Sequence, residues 1–115
     1  MGTWDSELDP RMDQRLEDHV LDKTRYSSFY NTSLEVILRG LGVDILIICG
    51  IITEVWVEST IGDAYFRDFK IIVPKGAVAA MDIDRHKGTL NTIEYGFGSV
   101  ATSAKLINDL LGIAA

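Results

Sequence analysis

From Thr32 onward the apolar positions alternate between two kinds of pattern. Leu34, Ile37, Leu38 and Leu41 recur at i, i+3, i+4 and i+7, behind Thr32 and Glu35 spaced as a capping box and ahead of Gly42. This predicts a helix that stops at Gly42 in the left-handed conformation. Asp44 then opens residues 45–49, which are apolar at every position, as a central parallel strand covered on both faces reads. That strand should end at Gly50. Residues 54–68 suit a second helix, 70–73 a second buried strand, 84–97 a third helix, 99–101 a short strand and 103–111 a last helix capped by Ser103. Helix and strand alternate, so the expected class is α/β with a mainly parallel sheet. There is no internal repeat and no low-complexity stretch.

The beginning of the chain follows another rule. Residues 1–18 are polar and acidic, hold no sustained period and are interrupted by Pro10, so they read as an arm or long loop. Val20 and Leu21 suit a short strand leading to Lys23, and residues 24–31, rich in Tyr, Ser and Phe, a loop. At 115 residues and 47% hydrophobic, residues 1–115 have room for one domain.

The formal charge is −6, with Asp5, Glu7, Asp9, Asp13, Glu17, Asp18 and Asp22 crowding the start, so a nucleic-acid partner is not expected. The longest apolar run, 45–52, is broken only by Gly50 and is far short of the roughly 20 residues of a membrane helix. The first residues lack the basic and apolar regions of a signal peptide, which predicts a cytosolic chain. Cys49 stands alone inside the apolar run, which excludes an internal disulfide and a cysteine-rich metal site and suggests a small buried core residue.

In open α/β sheets ligands bind beyond the carboxyl ends of the strands, which here points to residues 50–56. A nucleophile at the helix start after such a strand has its anion stabilised by the dipole and finds free N–H groups for an oxyanion.

Residues 49–64 read Cys-Gly-Ile-Ile-Thr-Glu-Val-Trp-Val-Glu-Ser-Thr-Ile-Gly-Asp-Ala. This stretch resembles the signature of the isochorismatase-like cysteine hydrolases, Gly-Val-x-Thr-x-x-Cys-Val-x-x-Thr-x-x-Asp-Ala. Three further blocks agree in order. Residues 23–29, Lys-Thr-Arg-Tyr-Ser-Ser-Phe, resemble the family's Lys-x-x-Tyr-Ser-x-Phe; Gly42, Val43 and Asp44 resemble its Gly-Val-Asp before the nucleophile strand; and residues 94–97, Glu-Tyr-Gly-Phe, resemble its late helix. The likeness covers about residues 2–107.

The resemblance implies a three-layer αβα sandwich, usually oligomeric, that hydrolyses amides or the vinyl ether of isochorismate with Asp, Lys and Cys. It makes Lys23 the lysine that stabilises the thiolate. It makes Ile51–Ile52 a cis peptide shaping the oxyanion hole, and it places Thr53, Tyr26 and Phe29 at the binding site for a small amide or aryl acid. No cofactor is expected, and no metal either, since the family's metal-binding members use residues from the part without counterpart here.

The cysteine position, however, is Trp56, and indole offers an N–H donor but no nucleophile. The family's general-base Asp comes from a first strand without counterpart here, so the sheet is expected to lack the first two family strands. Gly62 stands where an Arg is common, and Gly76 where an Asp is usual. The expected protein is therefore isochorismatase-like but inactive in cysteine chemistry. The alternatives are a non-catalytic module binding a small ligand or a protein, or one half of a longer or split amide hydrolase.

The two missing strands would lie between the strand of Lys23 and that of residues 45–49, leaving a gap of about 14 Å at 4.8 Å per strand step. Either residues 1–31 dock elsewhere, a neighbour in a homo-oligomer or a partner chain covers the gap, or the apolar strand presents an unpaired edge.

Trp56 is read as an apolar plug of the vacated pocket rather than a stacking surface. Lys23, its partners gone, is read as solvated. Ser59 and Thr60 match structural positions and have no visible base. His86, with Asp82 and Asp84, reads as a solvated helix start, and His19 as a surface residue. Asn31, Thr32 and Ser33 form a glycosylation sequon that is idle without secretion.

Overall fold

The computed structural model describes residues 7–112. The first helix, α1, spans Leu34–Gly40. It begins one residue later than the capping box implies. Ser33 is its N-cap and gives no side-chain cap, while the Thr32 hydroxyl donates to the Ser28 carbonyl (2.6 Å) and accepts from the Leu34 N–H (3.3 Å). Glu35 turns away to Arg67 (2.9 Å). Gly42, with φ +71°, takes the left-handed conformation that ends a helix without a Cβ penalty.

The chain then enters β1 (Ile45–Ile47), bends at Gly50 and continues as β2 (Gly50–Ile51). The bend needs φ +130° at Gly50, a conformation that side chains other than glycine's rarely accept. The predicted second helix has two parts, a π-helical turn at Thr53–Val57 and α2 at Glu58–Phe66. Strand β3 (Lys70–Pro74) follows, then a single 3₁₀ turn, β4 (Val78–Ala79), α3 (Ile83–Gly96), β5 (Ser99–Ala101) and α4 (Ser103–Leu111). Asp82 caps α3, accepting from the N–H groups of Asp84 and Arg85. Thr102 rather than Ser103 caps α4, accepting from Lys105 N–H at 3.1 Å; a cap lies outside the first helical turn, and Ser103 is already helical.

The architecture is α/β with parallel strands, as the alternation of elements predicts. One sheet has the order β1-β3-β5, all parallel, with Leu46 opposite Ile71 and Val73 opposite Val100. The pair β2 and β4 forms a second, parallel sheet, with Gly50 opposite Val78. That small sheet has no sequence signal, because two-residue strands are too short to show a period. The core lies between β3 and the helices and contains Val57, Ile61, Ala64, Phe69, Ile71, Val73 and Ile93. Two cation–π contacts close one flank: Arg39 lies over the Phe69 ring (4.3 Å) and Arg67 over the Phe29 ring (5.1 Å).

Three expectations fail in the same region. Val20 and Leu21 form no strand. β1 is an edge strand rather than a central one, and Ile45 and Ile47 remain 49% and 43% exposed. Leu46 and Ile48 do pack against the core, so one face of the strand is covered and the other is open. Cys49, expected in the core, is exposed for the same reason: no strand pairs with β1 on its far side among the described residues. Residues 7–20 are exposed throughout and are organised by local contacts such as Arg11 to Asp9 at 2.6 Å. The guanidinium holds the Asp9 carboxyl below the usual carboxylate range. Residues 1–6 of the expected arm lie outside the described residues.

Candidate functional site

The turn after β2 is where the fold should present chemistry, and its backbone is closed on itself. The Ile51–Ile52 peptide is cis, and the Ile52 carbonyl accepts from the N–H groups of Val55 (3.1 Å) and Val57 (3.2 Å). Thr53, the next residue, is fully buried, and its hydroxyl lies 2.9 Å from His86 Nδ1 on α3. His86 is therefore a half-buried anchor of this turn rather than a solvated helix start. It lies at i−3, i−4 and i−7 from Thr89, Leu90 and Ile93, of which Thr89 and Ile93 are buried and Leu90 packs against the core. That periodicity is the signal that could have found it.

One turn further on, Thr60 ties the helix to the loop that precedes α1. Its hydroxyl donates to the Trp56 carbonyl (2.9 Å) and accepts from the Ser28 N–H (3.0 Å). The loop so held carries Lys23 and Tyr26 to Trp56. The Tyr26 and Trp56 rings meet edge to face, with centroids 5.5 Å apart and planes at 85°. Lys23 is exposed, and its ammonium donates to the carbonyls of Arg25 (2.9 Å) and Tyr26 (3.4 Å).

Around these residues lies a solvent-open pocket of about 700 Å³, lined among others by Lys23, Arg25, Tyr26, Tyr30, Trp56 and Asp63. A smaller cavity of about 120 Å³ lies where Lys23, Cys49, Ile51 and Trp56 meet. Trp56 is half-buried and lines both, so it does not plug the space as its size suggests. Of the residues expected at the site, Lys23, Tyr26 and Trp56 come together. Ile51 is 70% exposed and borders the smaller cavity. Ile52 contributes its carbonyl to the turn. Phe29 is elsewhere: it is buried in the core, 6.0 Å from the Phe69 ring, because its position in the loop faces α2 and β3 rather than the pocket. Thr53 likewise lines neither cavity. Arg25, Tyr30 and Asp63 were missed, since nothing in their spacing separates a pocket wall from a solvated loop or helix face.

The Asp63 carboxylate is 3.4 Å from Arg67, so Lys23 and Arg25 give the pocket a net cationic lining. On the same helix as Asp63, burial and then the neighbouring Glu54 push the Glu58 carboxyl up from its ordinary value. One carboxylate oxygen of Glu54 is buried without a hydrogen-bond partner. Among the described residues no three His, Cys, Asp or Glu side chains are grouped to hold a metal ion.

Comparisons with known proteins identify the family. The isochorismatase domain family matches residues 1–105. The ureidoacrylate amidohydrolase RutB of Acinetobacter baylyi is 34% identical over 108 residues, covering 93% of this chain and 44% of that protein. The RutB of Methylorubrum extorquens is 41% identical over 104 residues, covering 90% and 42%. The chain thus spans about half the length of the relatives it matches. Among solved structures, a cysteine hydrolase from Pseudomonas syringae superimposes with a TM-score of 0.91 at 36% identity, covering 94% of this chain and 56% of that one. N-carbamoylsarcosine amidase from Thermoplasma acidophilum gives 0.79 at 34% identity, covering 89% and 58%. Family match, sequence identity and superposition agree: this chain belongs to the isochorismatase family.

Proposed function

We propose that this chain keeps the scaffold of an isochorismatase-family hydrolase without its cysteine chemistry. The observation that carries this reading is Trp56, which stands at the turn where the family resemblance puts the nucleophile. No acyl-enzyme can form on an indole. Lys23, the expected partner of a thiolate, spends two hydrogen bonds on its own loop. Loss of a catalytic unit in other hydrolases costs on the order of a millionfold in rate. Purified protein incubated with ureidoacrylate, nicotinamide and N-carbamoylsarcosine should release no ammonia above the uncatalysed rate. Release that Lys23→Ala abolishes would overturn the reading.

A second reading, binding without turnover, is favoured by one observation: Trp56 borders the 700 Å³ pocket instead of filling it. Aromatic walls from Tyr26, Tyr30 and Trp56 beside Lys23 and Arg25 suit a small planar amide or an aryl acid, with the ring against the indole and the carboxylate toward the cations. Nicotinate should quench tryptophan emission saturably, and Trp56→Phe should remove that response. No helix is long and apolar enough to cross a membrane among the described residues, and a cytosolic setting belongs to the same proposal.

A further inference from the structure

Trp56 lies inside a turn that its own backbone holds loosely. The Val57 N–H donates to the Ile52 carbonyl (3.2 Å) and the Glu58 N–H to the Thr53 carbonyl, each between residues five apart, so Thr53–Val57 is wound wider than an α-helix. Turns of this kind are rare, and Thr53, Val55 and Val57 carry branched side chains that favour helix poorly. Val57 is buried in the core, but apolar packing is non-directional and does not choose between windings. A hydrogen bond does. Among the described residues, the one side-chain hydrogen bond from this turn to another element joins the Thr53 hydroxyl to His86 Nδ1 on α3 (2.9 Å). Thr53 is 0% exposed, so its O–H needs an acceptor within the protein, and Nδ1 is its only partner among the described residues. A neutral imidazole accepts at one ring nitrogen and donates from the other. Nδ1 is then the acceptor, and the ring proton sits on Nε2.

We propose that His86 is the positioning residue for Trp56: by accepting the Thr53 proton at Nδ1 it locks the wide turn against α3 and so sets the face that the indole turns toward Tyr26 and toward a ligand. The ligand half of this statement rests on the binding reading above, and the lock itself does not. His86 lines neither cavity that Trp56 borders, so it acts on recognition through Thr53 and not by contact. The Trp56 carbonyl is held separately by the Thr60 hydroxyl (2.9 Å). Thr60 belongs to α2, the direct continuation of the turn, which leaves His86 as the side chain that ties the turn to a different helix. What the lock requires is an acceptor at the Nδ1 position. An asparagine supplies one through Oδ1, the atom at the same bond distance from the backbone, whereas a leucine supplies none.

The test uses the full 115-residue chain with Trp4→Phe, which leaves Trp56 as its only tryptophan, and compares it with the same chain carrying His86→Leu or His86→Asn. His86→Leu should speed hydrogen exchange at the Val57 and Glu58 amides at least about fivefold, the effect of leaving a buried hydroxyl unpaired. The Lys70 amide, bonded to the Asp44 carbonyl at the start of β3 (2.9 Å), should keep the parent rate. His86→Asn should return Val57 and Glu58 to within about twofold of the parent. Nicotinate quenching of Trp56 should follow the same order, about fivefold weaker or more in His86→Leu and restored in His86→Asn. Nitrogen NMR of the two imidazoles in the parent should show the His86 ring proton on Nε2, with His86→Asn identifying the signal. Unchanged exchange in His86→Leu, an equal rise at Lys70, no recovery in His86→Asn, saturable quenching that His86→Leu leaves unchanged, or a ring proton on Nδ1 would overturn the proposal. If His86→Leu does not fold, Thr53→Val cuts the same bond from the other side, and the parent's ring proton is read without any substitution. A parent that nicotinate does not quench would sink the binding reading and leave the exchange pattern to decide the role of His86.

Discussion

β3 has a strand on each side, and the two sides differ. Toward α2 and α3, the inward apolar positions are filled: Ile61 and Ile93 are 1% exposed, and Val73 and Ala64 are fully buried. Toward β1, an equally apolar run leaves Ile45, Ile47 and Cys49 open. The lesson is that an unbroken apolar run reports what a strand could be covered by, whereas the cover itself depends on how many other elements are present to supply it.

The largest test of this comparison is a pair of truncations. Ile61→Ala should lower stability by about 2–5 kcal/mol, as emptying a filled core site does, whereas Ile45→Ala should cost about 1 kcal/mol or less. Equal shifts in urea midpoint would break the distinction. Gly98→Ala comes next. A Cβ there would press on the Ile71 carbonyl oxygen, inside ordinary contact distance and against backbone that cannot swing away. A loss of about 1–3 kcal/mol is expected, in contrast to Gly62→Ala, where a Cβ meets nothing within 4 Å and helix propensity predicts a gain of up to about 1 kcal/mol.

Thr60→Val tests the link between the packed side and the pocket. Removing its hydroxyl strands the Ser28 N–H, at a cost of about 1–3 kcal/mol, and should loosen the loop of Lys23 and Tyr26. Nicotinate quenching of Trp56 would then weaken more than for Thr92→Val, whose hydroxyl meets only the Gly88 carbonyl on α3.

The smallest effect concerns Glu58. Its carboxyl is raised in the folded state, so between the ordinary glutamate value and the raised one the native chain holds more protons than the unfolded chain, and stability falls as pH rises through that window. Glu58→Gln should therefore be more stable than the parent at pH 7, with the difference vanishing below the ordinary glutamate range, as denaturation at several pH values would reveal.

The contrast also explains what could be read in advance. The helix containing Leu34, Ile37 and Leu38, the strand at 70–73 and the cis bond at Ile51–Ile52 were legible because period or a local motif specifies them. That β1 has no second neighbour among the described residues was not legible from residues 45–49 alone, since side-chain type does not encode which strands lie alongside; it was one of three outcomes left by the strand gap. At the site, the residues that the resemblance names divide: Lys23, Tyr26 and Trp56 line one pocket, whereas Phe29 lies in the core. A motif records that residues recur together and not which way each one faces.

The bonds around Trp56 bear on how the chain could change. The Trp56 carbonyl, not its side chain, is what Thr60 grips, so the helix holds this position through the main chain, and the ring adds only its edge-to-face contact with Tyr26. Tryptophan and cysteine codons differ only in the third base. At this position a single transversion would exchange an indole for a thiol while the main-chain bond to Thr60 stayed as it is, so the identity of this side chain is genetically shallow.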